Sequence, residues 1–226
     1  MSDSAAVRVT QQVRSDIIFG RVPPGTRLTE KLLSETYQVS RVPVRECLRA
    51  LEAEGLVEVR PYAGATVVRP QLADADVLFE VRQTLEAEMV RRAAQRSGVQ
   101  RSADTPDPEW WRLRREIRRV LEEGDQVLAD GHSDLLPNYN QQFHSLLAEM
   151  SESPALRGIL RQVSGKIEWL FVHSGAYRGN EAWNEHKDIM EAVDAGRAEA
   201  ATTLMVAHVQ TSRDGLNRAL RGDPTA

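Results

Sequence analysis

Apolar residues recur at helical spacing along most of this chain. Val9, Val13 and Ile17 stand at i, i+4 and i+8 and predict an amphipathic helix over residues 6–20. The run Arg21-Val22-Pro23-Pro24-Gly25 breaks it. Thr29 is a good N-cap and Glu30 suits a first turn, so a short second helix carrying Leu32 and Leu33 is expected to end near Tyr37. Ser40 caps a third helix, with Pro43 tolerated in its first turn, Val44, Leu48 and Leu51 on its buried face and Gly55 just past its end. Strand-like alternation is confined to residues 56–68, where Leu56 to Arg60 and Thr66 to Val68 flank the turn Pro61-Tyr62-Ala63-Gly64. Three helices and a hairpin in about seventy residues predict a winged helix-turn-helix.

Beyond a linker at Pro70-Gln71 the pattern is helical throughout. Six helices are expected, over residues 72–97, 108–130, 135–151, 154–174, 181–195 and 198–220. Apolar sets such as Val81, Leu85, Met89 and Leu113, Ile117, Leu121 keep the helical period. Breakers separate them: Thr105-Pro106-Asp107-Pro108, Ser153-Pro154, Gly175 with Gly179, and Gly196. The fold class is therefore mainly α: a winged domain over residues 1–70 and an all-helical bundle of six to seven helices over 71–226.

Charge divides at the same place. The net charge of -4 argues against a nucleic-acid partner when taken whole. Residues 1–70, however, hold 10 Lys and Arg against 8 Asp and Glu, while residues 71–226 hold 19 against 25. The winged part is thus mildly basic and the bundle acidic. The lone Cys47 rules out an internal disulfide and fits a cytoplasmic protein. No apolar run approaches the roughly 20 residues of a membrane span, and Asp3, Arg8, Arg14 and Asp16 do not fit a signal peptide.

Two groups of residues carry chemistry. In a helix-turn-helix the second helix of the motif reads the major groove, which makes the third helix the reader. Ser40, Arg41, Val42 and Arg45 then point away from Val44 and Leu48. Arginine is the usual bidentate partner of guanine, and Ser40 with the free N–H groups of the helix end suits a phosphate. Lys31 reaches either backbone or base, and the hairpin after Gly64 lies along the minor groove or the adjacent backbone. In the bundle, His144, His186 and His208 stand on apolar faces of three separate helices, and Asn140 precedes His144 by one turn. Satisfied core histidines and the ligands of one divalent ion, with zinc, nickel, copper or iron all suited to imidazole, both fit that spacing. His132 reads as a solvated loop residue.

The stretch from Val13 to Val67 resembles the DNA-binding domain of GntR-family bacterial transcription regulators. The residues that carry it are Val13-Arg14, Ile17-Ile18, Pro24-Gly25, Leu28, Glu30, Leu32, Val39-Ser40-Arg41, Pro43-Val44-Arg45-Glu46, Leu48, Leu51, Glu54-Gly55-Leu56-Val57 and Gly64. Cys47 stands where that family usually has alanine. Residues 72–221 resemble the FCD type of C-terminal domain, which marks the FadR-like subfamily, through Val81-Arg82, Leu85-Glu86, Asn140-x-x-Phe143-His144 and Glu185-His186-x-x-Ile189.

The resemblance implies operator contacts by Lys31, Arg41 and Arg45, with Ser40 on the backbone; Val42 on the same helix face and the wing at Gly64 complete the expected DNA-binding set. It implies a divalent metal, zinc before nickel or another ion, on Asn140, His144, His186 and His208, with Asn140 where the family has Asp. It further implies that Arg82 pairs with the carboxylate of a small organic-acid effector, and that the protein acts as a homodimer on palindromic operator DNA, usually as a repressor. His173, near Tyr177 and Arg178, is a weaker candidate for the effector pocket. A metal-dependent hydrolase or lyase fused to a DNA-binding domain, and a regulator with a purely structural metal, are the competing readings. No HExxH motif, nucleophile elbow or P-loop supports the enzyme.

Overall fold

The structure is a computed structural model that describes residues 4–60, 64–69, 74–102, 107–174 and 180–221. The turn at Pro61-Tyr62-Ala63, the Pro70-Gln71 linker, Thr105-Pro106, Gly175, Gly179, Tyr177, Arg178 and the side chain of His173 lie outside the described residues. The chain divides into two compact units. One comprises residues 1–75 with 165–173, and the other residues 76–164 with 174–226.

The first unit contains α1 (Ala5–Ile18), β1 (Arg27–Leu28), α2 (Glu30–Tyr37), α3 (Arg41–Ala53), β2 (Val57–Arg60) and β3 (Gly64–Val67). Val9, Val13, Ile17 and Ile18 form the buried face of α1, and α3 supplies Val44, Cys47, Leu48 and Leu51. The Thr29 side chain accepts from Leu32 N and caps α2. Leu33 is buried on that helix, while Leu32 is exposed. The three strands are antiparallel in the order β1-β3-β2, with Leu28 opposite Ala65 and Val57 opposite Val67. Strand patterning in the sequence covers only 56–68, so β1 is an addition: two residues are too few to show a period. Gly64 explains the tightness of the wing. Its φ is +83°, and a Cβ there would stand 2.4 Å from the Leu28 carbonyl oxygen across the sheet. Residues 165–173 add Trp169, 1% exposed, to this core, and Arg14 ties Glu54 at 3.0 Å and Glu168 at 3.3 Å.

The second unit is built from α4 (Ala75–Ser102), α5 (Pro108–Ala129), a 3-10 turn at Ser133–Leu135, α6 (Leu136–Met150), α7 (Pro154–Ser174, except its residues 165–173), α8 (Asn180–Asp194) and α9 (Ala198–Arg221). Helix α5 runs against α6, and α8 against α9. Leu85 and Met89 of α4 pack on Ala148 of α6 and Leu160 of α7. His132 is exposed at the start of the 3-10 turn, as a solvated loop residue should be. Helix α4 runs five residues past its expected end, straight through Gly98. The Gly196 corner sits against it, and a Cβ at Gly196 would lie 3.2 Å from the Gly98 Cα.

A second close approach matters for the site. A Cβ on Gly124 of α5 would stand 2.0 Å from the Trp183 ring of α8. Gly124→Val should therefore displace Trp183 and destabilise the protein by about 1–3 kcal/mol, the usual cost of overpacking a core. Urea unfolding checks this; a change under about 0.5 kcal/mol, the range of ordinary surface substitutions, would show that the indole moves aside freely.

Candidate metal centre and nucleic-acid interface

Helix α3 presents two faces. Val44, Cys47, Leu48 and Leu51 are buried, while Arg41, Val42, Arg45 and Arg49 are exposed. Ser40 occupies the N-cap position with extended backbone, but its side chain makes no capping bond. The hydroxyl and the first N–H groups of α3 therefore stand together at one exposed helix end, the arrangement that receives an anion. Arg45 Nε donates to Glu30 Oε1 at 2.7 Å, and Lys31 Nζ lies 3.9 Å from Glu35. Both pairs are exposed, so each is worth little and is readily exchanged for a phosphate or a base. Cys47 is fully buried and burial raises its thiol to about 11, which makes it inert.

The second site lies inside the helical unit. His144 on α6, His186 on α8 and His208 on α9 each offer a ring nitrogen, and these nitrogens lie within 4.8 Å of one another. The three residues are 5%, 1% and 2% exposed. Phe143 stacks on His186 with centroids 4.2 Å apart, and Trp183 meets the same ring edge-on at 5.3 Å. Trp183 is itself held by a 3.0 Å bond from its Nε1 to Asp125. Asn140 stands one turn before His144 on α6, half-buried.

Charged groups complete the centre. Arg82 and Glu86 are buried one turn apart on α4, and Arg82 Nε donates to Glu86 Oε1 at 2.9 Å. Arg82 Nη2 lies 3.0 Å from His144 Nε2. On the other side of that ring, Nδ1 is 3.1 Å from Glu86 Oε2, close enough for charge interaction but off the hydrogen-bond axis. Glu185 Oε2 lies 2.7 Å from His208 Nδ1.

These surroundings decide the protonation states. Burial pushes the Glu86 carboxyl up, but the Arg82 and His144 charges outweigh it and hold the group at about 2. Burial is the main cause that lowers His144 to about 4, against the opposing pull of Glu86. His186 is driven well below its usual value, first by burial and then by its imidazole neighbours and Arg82. Both rings are therefore neutral at physiological pH, the form in which imidazole ligates a metal. The decisive observation is His186: both its nitrogens are buried, and neither has a hydrogen-bond partner among the described residues. Orphaned polar atoms at that depth are costly, and a metal ion satisfies one of them. The donor set of three imidazoles suits zinc or nickel.

The structure thus brings the three expected histidines together. It places Arg82 in a buried ion pair with Glu86, within hydrogen-bond reach of His144. Glu86 and Glu185 appear in the sequence only as neighbours of Arg82 and His186. The first could have been found from its i+4 spacing to a buried arginine. The second carries no local signal, because its partner is 23 residues away.

Comparison with known proteins bears on both sites. Residues 5–67 match the family described as bacterial regulatory proteins, gntR family, and residues 77–211 match the FCD domain. The HTH-type transcriptional regulator LutR of Bacillus subtilis is 30% identical over 225 residues, spanning 88% of this chain and 94% of its own. The HTH-type transcriptional regulator YdhC of the same organism is 28% identical over 212 residues, spanning 92% and 89%. Among solved structures, the E. coli protein McbR/YncC shares the fold with a TM-score of 0.76 at 21% identity, covering 96% of this chain and 98% of that one. These relatives are regulators by name, which removes the fused-enzyme reading. Among the described residues no helix is long and apolar enough to cross a membrane. The chain belongs to the GntR family of bacterial regulatory proteins, joins its DNA-binding domain to an FCD domain, and is a DNA-binding transcriptional regulator.

Proposed function

We propose that this regulator is a cytoplasmic repressor that binds a palindromic operator as a homodimer, of the FadR-like kind, and is released by a small organic acid. The acid binds at a divalent ion, zinc before nickel, held by Asn140, His144, His186 and His208. The observation that carries the metal reading is the buried His186 ring, with two orphaned nitrogens beside two other buried imidazoles. A divalent ion supplies open coordination positions that attract carboxylate oxygens. The protein supplies the rest. Arg82 holds a guanidinium 3.0 Å from the His144 nitrogen, so a carboxylate seated there meets a planar cation that keeps its Nε bond to Glu86 and offers Nη1, with Nη2 once it leaves His144.

On the DNA side, Arg41 and Arg45 read guanine in the major groove, Val42 meets a thymine methyl, and Ser40 holds phosphate. Lys31 adds a backbone or base contact, and the wing behind Gly64 lies along the minor groove. The effector can act only if it binds one arrangement of the dimer better than the other. Arg41→Ala should weaken operator binding by about 1–3 kcal/mol, roughly 5- to 150-fold, and leave binding to random DNA nearly unchanged. Fluorescence anisotropy on the protein's own upstream region measures both. An equal loss on both DNAs would make Arg41 a phosphate contact.

The functional test uses the same assay with chelator, with added Zn2+ and with a panel of small carboxylates. Release of the operator by at least one acid, only in the presence of metal, is the expected result. No response to any acid or to chelator would overturn the sensing reading. A purely structural metal is favoured by the depth of the centre, where all three rings are at most 5% exposed. In that case replacing His186 and His208 by alanine lowers Tm and leaves the response to acids intact.

A further inference from the structure

Two buried or half-buried carboxylates touch the histidine centre without being counted among its ligands: Glu86 on α4 and Glu185 on α8. Their geometry bears on which nitrogen of each ring carries the proton. A guanidinium only donates. Arg82 Nη2 at 3.0 Å therefore requires His144 Nε2 to be the accepting nitrogen. The single proton of that neutral ring then stands on Nδ1, 3.1 Å from Glu86 Oε2. The two atoms make no hydrogen bond as they stand, and Glu86 faces the Nδ1 proton by proximity and charge. A carboxylate only accepts, so Glu185 Oε2 at 2.7 Å places the His208 proton on Nδ1 as well. Two rings on different helices thus share one tautomer; His208 keeps the Nε2 lone pair open, while in His144 it accepts from Arg82 Nη2. His186 differs. It is held by the Phe143 stack and the Trp183 edge, with no hydrogen bond to either nitrogen.

We propose that Glu86 and Glu185 are positioning residues, which hold the Nδ1–H of His144 and His208 respectively and so keep both Nε2 atoms unprotonated for one divalent ion, that of His208 already open and that of His144 once the ion displaces Arg82 Nη2. The proposal rests on the metal reading above. It adds that the chain orients its ligands through two carboxylates from α4 and α8. Such partners fix the ring and raise its basicity as a ligand. They matter more than usual here, because imidazoles and the Asn140 amide bring no negative charge to the ion, and the protein's own compensating charge stands behind the ligands. Arg82 anchors Glu86 by its Nε, which keeps the carboxylate from turning away from His144.

The test measures Zn2+ affinity of the full-length protein by competition with a chromophoric chelator, for wild type, Glu86→Gln, Glu185→Gln and Glu185→Asp. Each glutamine variant should bind Zn2+ about 10- to 100-fold more weakly, the usual effect of losing such a partner, and Glu185→Asp should recover part of the loss. Long-range 1H–15N spectra of the chelator-treated protein give a readout that general destabilisation does not move. His144 and His208 should both appear with the proton on Nδ1, and His208 should lose that single tautomer in Glu185→Gln. If Glu86→Gln fails to fold, Glu185→Gln, whose side chain is 32% exposed, still decides. Affinities within threefold of wild type, while His186→Ala abolishes binding, overturn the positioning role and leave the metal centre standing. A wild-type protein that binds neither Zn2+, Co2+ nor Ni2+ overturns both.

Discussion

At pH 8, Arg82→Met should unfold about 3–5 kcal/mol more easily than wild type, the loss typical when one partner of a buried ion pair is removed. The pair is 7% and 1% exposed, and the fully buried Glu86 carboxylate would remain charged without its guanidinium. The methionine replaces most of the stem volume, so the effect reports charge more than packing. The cost should shrink as pH falls. Arg82 holds down the affinity of both Glu86 and His144 for protons, so its loss lets His144 take one and replace the missing cation beside Glu86. The double variant Arg82→Met with Glu86→Leu should regain much of the stability, because a buried pair exchanged for apolar groups is often neutral. Urea unfolding at pH 8 and pH 6 measures all of this. A loss under about 1 kcal/mol at pH 8 would mean that water reaches Glu86 and that the pair behaves as a surface one.

That ion pair also marks where sequence reading stops. The winged unit was legible because its signals are local: the Val9, Val13, Ile17 face, the Thr29 cap, and Gly55 at φ +68° after α3 all act within a few residues. The bundle helices were legible for the same reason, and so were three histidines on apolar faces. What was hidden depends on contacts across the chain. β1 exists only because Arg27 and Leu28 find Thr66 and Ala65. Trp169 reads as an ordinary apolar position of a bundle helix, yet it fills the core around α1 and α3. Glu185 belongs to His208, not to the His186 beside it in sequence. Arg82 stands i, i+4 from Glu86 in the sequence, but its contact with His144, 62 residues away, exists only once α4 packs near α6. Ser40 was readable as the N-cap of α3. That its hydroxyl leaves the cap bond unmade is a matter of rotamer, on which sequence is silent.

The second large effect is acid lability of the metal-free protein. The sign follows from which state binds more protons. His144 titrates at about 4 in the folded chain against 6.5 when unfolded, and His186 shifts in the same direction. Below pH 6.5 the unfolded chain takes up protons that the folded one refuses, so stability rises with pH there. The contribution is complete above the unfolded value and drains away as pH falls through it toward the folded values. With both rings engaged the slope should approach about 2.7 kcal/mol per pH unit, and His144 alone accounts for about 3 kcal/mol by pH 4. Glu86, at about 2 folded against 4.5 unfolded, extends the loss below pH 4.5. Chelator-treated protein at the low end of ordinary stability, about 5 kcal/mol, should therefore unfold between roughly pH 4 and 5, and a more stable chain should lose the same amount there without unfolding. Zn2+ binds only deprotonated rings and so stabilises the folded state at pH 7.5, but that gain should vanish over the same interval, because protons and the ion compete for the same lone pairs. Replacing His186 by phenylalanine should roughly halve the slope. A stability profile that is flat from pH 7 to pH 5, with or without Zn2+, would show that the imidazoles are not buried as neutral rings, and would remove the basis for a metal at this position.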